Sequence, residues 1–236
     1  MPAPAHVFDA VVLAGGRGTR LGGADKPGLI VGGQTLLGSV VSAVASAGAD
    51  QIVVVGPERP AVSGPGTGDP STGELTRGEP STGARGRVRY AQEGPPGCGP
   101  VAALACGLGQ VSAPVVVLLA ADLPFLRAAH LTRLLTVLAA RDVPGVVLLD
   151  DSARPQWLVS CWPAALLHAA LGRYTGTSLR GLLAPLDPLL LPDERAPGEP
   201  PPWLDCDTED DVRLAREWFA RKQAARPSGS DQEAIR

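Results

Sequence analysis

The sequence VVLAGGRGTRLGGADK, residues 11–26, gives the strongest indication of how this chain folds. It begins with an apolar run typical of a buried strand and, after Ala14, changes to a glycine-rich loop that contains Arg17, Arg20 and Lys26. Glycines allow consecutive backbone N–H groups to turn toward an anion without Cβ clashes. Arginine binds phosphate oxygens through a planar fork, and lysine binds them as a point charge. The stretch therefore predicts a strand that leads into a phosphate-binding loop.

Two common nucleotide-binding motifs are absent from this stretch. The loop lacks the pattern G-x-x-x-x-G-K-[ST] of a P-loop, and Leu21 stands where the dinucleotide fingerprint G-x-G-x-x-G requires its last glycine. An acidic residue at the distance expected for ribose binding is also missing. These observations exclude a P-loop protein and argue against a nicotinamide-dependent dehydrogenase.

The stretch resembles the signature L-A-G-G-x-x-x-R-[LM]-G-x-x-D-K of the molybdenum cofactor guanylyltransferases, within the nucleotidyltransferase superfamily. Every fixed position of the signature is matched between Leu13 and Lys26. The resemblance implies transfer of GMP from GTP to Mo-molybdopterin with release of pyrophosphate. It implies catalytic roles for Arg20, Lys26 and Asp122. It also implies that the following residues bind the nucleotide: Leu13, Ala14, Gly15, Gly16, Arg17, Lys26, Glu93, Gly99 and Asp122.

Composition and charge argue against several other classes. The 236 residues are 44% hydrophobic, which is typical of a packed globular domain. The net charge is -3 and the arginines are scattered, so no nucleic-acid partner is expected. The cysteines form no C-x-x-C pair, which predicts reduced thiols in a cytoplasmic protein. Neither a signal peptide nor an apolar run of membrane-spanning length is present, so no membrane partner is expected either.

Strand and helix patterns alternate along the chain and predict one α/β domain over residues 7–222. Together with the resemblance, they imply a single three-layer α/β/α Rossmann-like nucleotidyltransferase domain with a mostly parallel central sheet. Residues 57–86 are rich in Gly, Pro, Ser and Thr, which predicts a disordered surface insertion, with a substrate lid as the alternative. The polar residues 223–236 predict a disordered tail. Strands are predicted at residues 8–14, 51–55, 87–93, 114–120, 145–151 and 154–162.

A second informative stretch is PVVVLLAADLPFL, residues 114–126, in which a strongly apolar run ends shortly before Asp122. A carboxylate at the carboxyl end of a central parallel strand lies where open α/β sheets bind ligands. The resemblance implies that Asp122 coordinates Mg²⁺ bridging the nucleotide phosphates. The alternative is a cap for the helix near Arg127, but a cap usually stands immediately before its helix.

The third informative stretch is WLDCDTEDDVRLAREW, residues 203–218. Alternate residues of a strand share a face, so a strand here would point Asp205 and Asp207 the same way and offer two further metal ligands. The alternative is a pair of carboxylates at a solvent-facing strand end. Thr208 is predicted to cap the following helix, with Asp211 near the capping-box position.

The sequence gives weaker indications of which residues bind the acceptor substrate. Arg154, Gln156 and Trp157 resemble the segment that faces the acceptor in such enzymes, but they are equally typical of an edge strand. Arg180 could bind an acceptor phosphate, although a solvated side chain is the simpler interpretation.

Two departures from the guanylyltransferase pattern bear on the nucleotide: Gly56 stands where an Asn is frequent, and Glu93 where an Asp is frequent. Asp also stands at both 205 and 207, where many guanylyltransferases have Asn, and this departure concerns the identity of the acceptor. A cytidylyltransferase on the same pterin, a transferase for another phosphorylated acceptor, and a non-catalytic nucleotide-sensing module therefore remain alternatives. A sensor need not keep all three carboxylates, so their joint presence favours an enzyme. The resemblance also leaves room for transient contact with proteins that deliver molybdopterin or mature molybdoenzymes.

Overall fold

The computed structural model describes residues 7–15, 25–58, 86–95 and 97–224. Most of the predicted insertion at 57–86 lies outside these residues, as does the tail beyond Ala224. The described strands are β1 (Phe8–Leu13), β2 (Ile30–Val31), β3 (Gln34–Thr35), β4 (Gln51–Val55), β5 (Arg87–Ala91), β6 (Val115–Ala120), β7 (Val146–Leu149), β8 (Pro155–Pro163) and β9 (Leu189–Leu191). The helices are α1 (Leu36–Ser46), α2 (Pro100–Leu108), α3 (Ala128–Ala140), α4 (Ala164–Leu171), α5 (Leu179–Leu183) and α6 (Glu209–Ala224).

Seven strands form one sheet in the order β5-β4-β1-β6-β8-β7-β9. All pairs are parallel except those of β8, which runs antiparallel to both β6 and β7. A separate antiparallel hairpin joins β2 to β3 through a turn at Gly32 and Gly33, which both have positive φ. The prediction of a mostly parallel α/β sheet is confirmed.

Helices cover both faces of this sheet, which gives the three layers. Alternate residues of β1 face opposite sides, with Ala10 and Val12 in one apolar core and Val11 and Leu13 in the other. The first core contains the buried faces of α1 and α3, and the second those of α2, α4 and α5. Because β1 is buried throughout, its sequence is a nearly continuous apolar run.

Asp9 is the buried polar exception in β1. Its carboxylate accepts backbone N–H bonds from Gln51 (3.1 Å), Ser112 (2.8 Å) and Ala113 (3.0 Å). Buried charges require such partners, and here they tie together the loops at the amino end of the central strands. The opposite, carboxyl end of the sheet is where β1 meets its glycine-rich loop.

Gly107 allows α2 to lie close to the sheet. A Cβ atom at this position would come within 2.6 Å of a Val11 methyl and 2.7 Å of a Val55 methyl. The absence of a side chain therefore sets the distance between α2 and strands β1 and β4.

Several predicted boundaries are wrong. β1 ends at Leu13 rather than Ala14, β5 ends at Ala91, and α6 continues to Ala224, beyond the start of the predicted tail. Residues 203–208 are not a strand. That segment is anchored by side-chain packing instead, because Cys206 is fully buried in a small core with Phe125 and Val212. Within the described residues, no helix has the length and apolar character needed to cross a membrane.

Candidate active site

The carboxyl ends of β1 and β6 lie side by side and position the first site residues. Leu13 pairs with Ala120, and the N–H of Ala121 donates to the carbonyl of Leu13 at 3.1 Å. Asp122 follows directly, so it lies at the edge of the sheet where the glycine-rich loop begins. Leu13, Ala14 and Gly15 belong to this edge, whereas Gly16, Arg17 and Arg20 lie outside the described residues.

Gly56 supports the start of the loop from the neighbouring strand. The N–H of Ala14 donates to the carbonyl of Val55 at 2.8 Å, and a Cβ at Gly56 would lie 3.0 Å from the Ala14 carbonyl. Glycine at position 56, where the resembling enzymes often have Asn, therefore lets β4 approach the backbone that opens the loop.

Three carboxylates converge at this edge. Asp122, Asp205 and Asp207 each offer an oxygen, and the three oxygens lie within 4.8 Å of one another. The ammonium group of Lys26 contacts both Asp122 Oδ2 and Asp207 Oδ1. The structure thus brings together predicted residues from all three informative stretches of the sequence. Asp205 and Asp207 share a side as expected, although no strand holds them.

The charges at the cluster perturb one another. Burial alone would lower the pKa of Lys26, but its hydrogen bonds to Asp122 and Asp207 outweigh this effect and raise the pKa. Lys26 is therefore a cation at neutral pH. Loss of surrounding water, followed by repulsion from Asp207 and Asp122, raises the pKa of Asp205.

The donor set fits a hard divalent cation. Carboxylate oxygens are the ligands that Mg²⁺ and Mn²⁺ prefer. Asp122 Oδ1 is buried and has no hydrogen-bond partner among the described residues, which is costly for a carboxylate oxygen and suits a metal ligand. Three carboxyl groups face a single ammonium group, so the cluster has an excess of acidic groups that a divalent cation would offset.

The segment that carries Asp205 and Asp207 is anchored by the buried Cys206 and by the helix cap that follows it. Cys206 is buried between them, and loss of solvent raises the pKa of its thiol to about 12. Just beyond, the N–H of Thr208 donates to Asp211 Oδ2 at 2.8 Å, and the Asp211 N–H donates to Thr208 Oγ1 at 3.2 Å. The predicted capping box is therefore confirmed, and it fixes the start of α6 next to the carboxylates.

An aromatic cluster, which the sequence did not predict, joins the two carboxylate-bearing elements. Phe125, three residues after Asp122, stacks on Phe219 at 5.3 Å and meets the edge of Trp218 at 5.2 Å. Trp218 and Phe219 belong to α6, which follows Asp207. The sequence signal for this contact is the adjacent pair Trp218 and Phe219, two large aromatic residues in a helix with many charged side chains.

Glu93 and Gly99 lie on the loop between β5 and α2, outside the carboxylate cluster. A Glu93 carboxylate oxygen accepts the N–H of Gly97 at 3.0 Å, and Gly99 adopts a positive φ of 96° immediately before Pro100 begins α2. Both residues shape the loop at the carboxyl end of β5.

A cavity of about 520 Å³ lies beside the connection between β7 and β8. Arg154, Trp157 and Arg180 line it, so Arg180 joins the candidate acceptor segment despite its distance in sequence. Gln156 has a different role, because its amide donates to Asp150 Oδ2 at 3.0 Å and stabilises the turn. Leu119 of β6 pairs with Val159, so β8 begins at the same edge of the sheet as Asp122.

The sheet order, its helical layers and the acidic edge define an α/β nucleotidyltransferase fold. The chain belongs to the family of MobA-like NTP transferase domains, whose sequence model matches residues 10–189. A search of curated proteins found no match.

Solved structures share the fold over nearly the whole chain. A nucleotidyl transferase from Methanothermobacter thermautotrophicus has a TM-score of 0.66 and 22% identity, covering 92% of this chain and 99% of its own. Molybdopterin-guanine dinucleotide biosynthesis protein A from Archaeoglobus fulgidus has a TM-score of 0.63 and 19% identity, covering 90% and 99%.

Two further solved structures share the fold; one is named as a manganese complex and the other as a cytidylyltransferase. A manganese complex of Rv0371c from Mycobacterium tuberculosis has a TM-score of 0.56 and 24% identity, covering 89% of this chain and 98% of its own. The 2-C-methyl-D-erythritol 4-phosphate cytidylyltransferase of Thermus thermophilus has a TM-score of 0.56 and 20% identity, covering 91% and 98%. At these identities, the likeness shows the fold alone.

Proposed function

We propose that this protein is a Mg²⁺-dependent guanylyltransferase that transfers GMP from GTP to Mo-molybdopterin, releases pyrophosphate and forms molybdopterin guanine dinucleotide. The observation that carries the proposal is the meeting of Lys26 with Asp122, Asp205 and Asp207 where the glycine-rich loop leaves β1. Phosphoryl chemistry of this kind depends on aligning the reactants and stabilising negative charge, and an edge of this composition supplies both.

Asp122, Asp205 and Asp207 would hold the metal ion. When bound, Mg²⁺ would act as a Lewis acid that neutralises charge on the triphosphate. The named manganese complex of the Mycobacterium tuberculosis protein supports a divalent cation in this fold, and the unpartnered oxygen of Asp122 supports its place in this chain.

The remaining site residues would bind and orient the nucleotide. Lys26 neutralises phosphate oxygens, Arg20 assists it in catalysis, and Arg17 binds the triphosphate through its fork. The nucleotide would also be bound by the backbone of Leu13, Ala14, Gly15 and Gly16. Glu93 and Gly99 shape the loop beside the base and ribose.

The acceptor phosphate attacks the α-phosphorus of GTP while the bond to pyrophosphate breaks. A phosphate monoester is already largely ionised at neutral pH, so the acceptor needs no general base. The chain's own contribution is to align the attacking oxygen with the leaving pyrophosphate and to balance the charge that develops on it.

We place the acceptor at the cavity lined by Arg154, Trp157 and Arg180. Two arginines suit a phosphate group and Trp157 offers a flat apolar surface for a ring. Four free cysteines suit a reducing compartment, so we propose that the reaction takes place in the cytoplasm.

A cytidylyltransferase is the second candidate. Gly56 and Glu93 differ from the guanylyltransferase pattern on the nucleotide side, and a named cytidylyltransferase shares the fold. An arginine-lined cavity also fits phosphorylated acceptors other than a pterin. The intact set of three carboxylates argues against a nucleotide sensor without turnover.

The test is an assay with Mo-molybdopterin, Mg²⁺ and either GTP or CTP, in which dinucleotide and pyrophosphate are measured by mass spectrometry and a coupled assay. We expect guanine dinucleotide from GTP, with a raised acceptor KM in Arg180→Gln and no change in Arg173→Gln, a matched exposed arginine outside the cavity. Product from CTP alone would replace guanylyl by cytidylyl transfer. Absence of product with both nucleotides would refute the pterin assignment.

A further inference from the structure

Lys26 has a second role at the carboxylate cluster. Its ammonium group contacts Asp122 Oδ2 and Asp207 Oδ1, two of the residues assigned to the metal. The Lys26 side chain is only 15% exposed, so the ammonium lies among the carboxylates rather than in the solvent. The Lys26 ammonium therefore balances part of the negative charge that a bound divalent cation would balance.

A bound divalent ion would compete with the Lys26 ammonium for these carboxylate oxygens. Like charges a few ångströms apart repel, and the repulsion is stronger beside the mostly buried Lys26 and Asp122 than in open water. Asp122 Oδ1, buried and without a hydrogen-bond partner among the described residues, together with Asp205, offers an incoming ion its first ligands. Completion of the site with Asp207 would then push the ammonium away.

The backbone at Lys26 is held in a turn, whereas its side chain is held only by its ion pairs with the carboxylates. Lys26–Gly28 forms a short 3₁₀ turn with Pro27 in its first turn, and the Lys26 carbonyl accepts the N–H of Leu29 at 3.1 Å. The four-carbon stem of lysine is flexible. The ammonium can therefore change partners without any rearrangement of the turn.

We propose that Lys26 is the resident counter-ion of the metal site and that divalent metal exchanges with its ammonium. Metal binding thereby releases Lys26 to the triphosphate. This inference rests on the metal site of the proposed function. It makes metal loading a prerequisite for full phosphate binding by Lys26, and it keeps the carboxylates together before metal arrives.

The chain offers a direct test because Lys26 and Lys222 are its only lysines. Protein labelled with ¹³C and ¹⁵N at lysine is titrated with MgCl₂ in the absence of nucleotide. We expect the side-chain signals of Lys26 to shift toward those of a free lysine and to saturate. Lys222, which lies 4.7 Å from the centre of the Trp218 ring and away from the cluster, is the internal control and is expected not to respond.

Binding of Mg²⁺ is followed separately through ¹³C-carboxyl signals of labelled aspartate. Aspartate shifts without any Lys26 shift would overturn the exchange while leaving the metal site intact. Absence of any response to Mg²⁺ would overturn both the exchange and the metal site.

A second arm uses Mn²⁺ affinity measured by electron paramagnetic resonance. Lys26→Met is expected to bind Mn²⁺ about tenfold or more tightly than the unaltered protein, because the competing charge is removed. Lys222→Met is expected to match the unaltered protein. Equal or weaker Mn²⁺ binding by Lys26→Met would contradict competition between the ammonium and the metal.

Discussion

Lys26 donates a hydrogen bond to Asp207 across a sequence separation of 181 residues. The contact joins the end of the glycine-rich loop to the segment that precedes α6. Asp122, at the end of β6, contacts the same ammonium group and completes the junction. Mutations at this edge should therefore affect function, whereas mutations at the helix caps and at the contact between α2 and the sheet should affect stability.

Asp122→Asn should remove metal-dependent activity and leave the fold intact. The amide is the same size but is a weak ligand for a hard cation, and the change opens no core cavity. We expect turnover to fall by about 10³-fold, as for the loss of several kcal/mol of charge stabilisation, with an unchanged circular dichroism spectrum. Asp210→Asn, an exposed position on α6, is the control. A variant Asp122→Asn with near-normal turnover would rule out the metal assignment.

Thr208→Ala should weaken α6 by removing the N-cap. Its hydroxyl accepts the N–H of Asp211, and loss of such a cap costs about 1 kcal/mol. Urea denaturation should show this decrease in the free energy of unfolding, and Thr208→Ser should restore most of it. If the Ala and Ser variants unfold alike, the cap contributes nothing.

His130 should make stability depend on pH. Its Nδ1 accepts the N–H of Arg127 at 3.1 Å at the start of α3, which requires the neutral ring. Burial lowers the pKa of His130 below 6.5. The positive charges of Arg127 and Arg133 act in the same direction, and the negative charges of Asp193 and Glu199 oppose it. The unfolded chain therefore binds the proton more tightly, so this contribution is complete above pH 6.5 and is lost as the pH falls through the lower folded-state value.

The comparison is with His130→Gln, which keeps an acceptor that does not titrate. In urea denaturation between pH 8 and pH 5, the unaltered protein should lose stability relative to this variant by about 1 kcal/mol, the usual value of a cap. A difference between the two proteins that is the same at every pH would contradict the assignment.

Gly107→Ala should destabilise the protein because the added methyl group would overlap Val11 and Val55. Overpacking of a core usually costs about 1–3 kcal/mol. Gly109 provides a matched control two residues away, since its φ of -62° suits alanine and the nearest contact of an added Cβ is 3.5 Å. We expect Gly109→Ala to be neutral or slightly stabilising in thermal denaturation, and equal effects of the two changes would contradict the close packing of α2.

Much of the fold follows from local sequence. The apolar runs at β1, β4 and β6 predict strands that the structure contains, because burial on both faces leaves little choice of residue type. The interpretation of the segment around Asp205 and Asp207 as a strand is wrong because alternation alone does not supply a neighbouring strand. Packing of Cys206 gives the same alternation without a ladder of hydrogen bonds.

The site could be predicted only in part. Lys26, Asp122 and the Asp205–Asp207 pair were candidates because their residue types suit phosphate and metal. Their mutual contact is a tertiary property that no local pattern encodes. The same holds for Arg180, whose place beside Arg154 depends on how α5 packs against β8. The contact of Phe125 with α6 is tertiary as well.

A thermal-shift series shows whether this edge of the sheet is a metal-dependent nucleotide site. The protein is heated with Mg²⁺ and GTP, CTP, ATP or UTP, with and without Mg²⁺, beside Asp122→Asn. Ligands that bind the native state raise the apparent melting temperature by mass action. We expect GTP to raise the melting temperature only when both Mg²⁺ and Asp122 are present. The absence of a shift with every nucleotide, or a GTP shift of equal size in Asp122→Asn, would contradict this expectation.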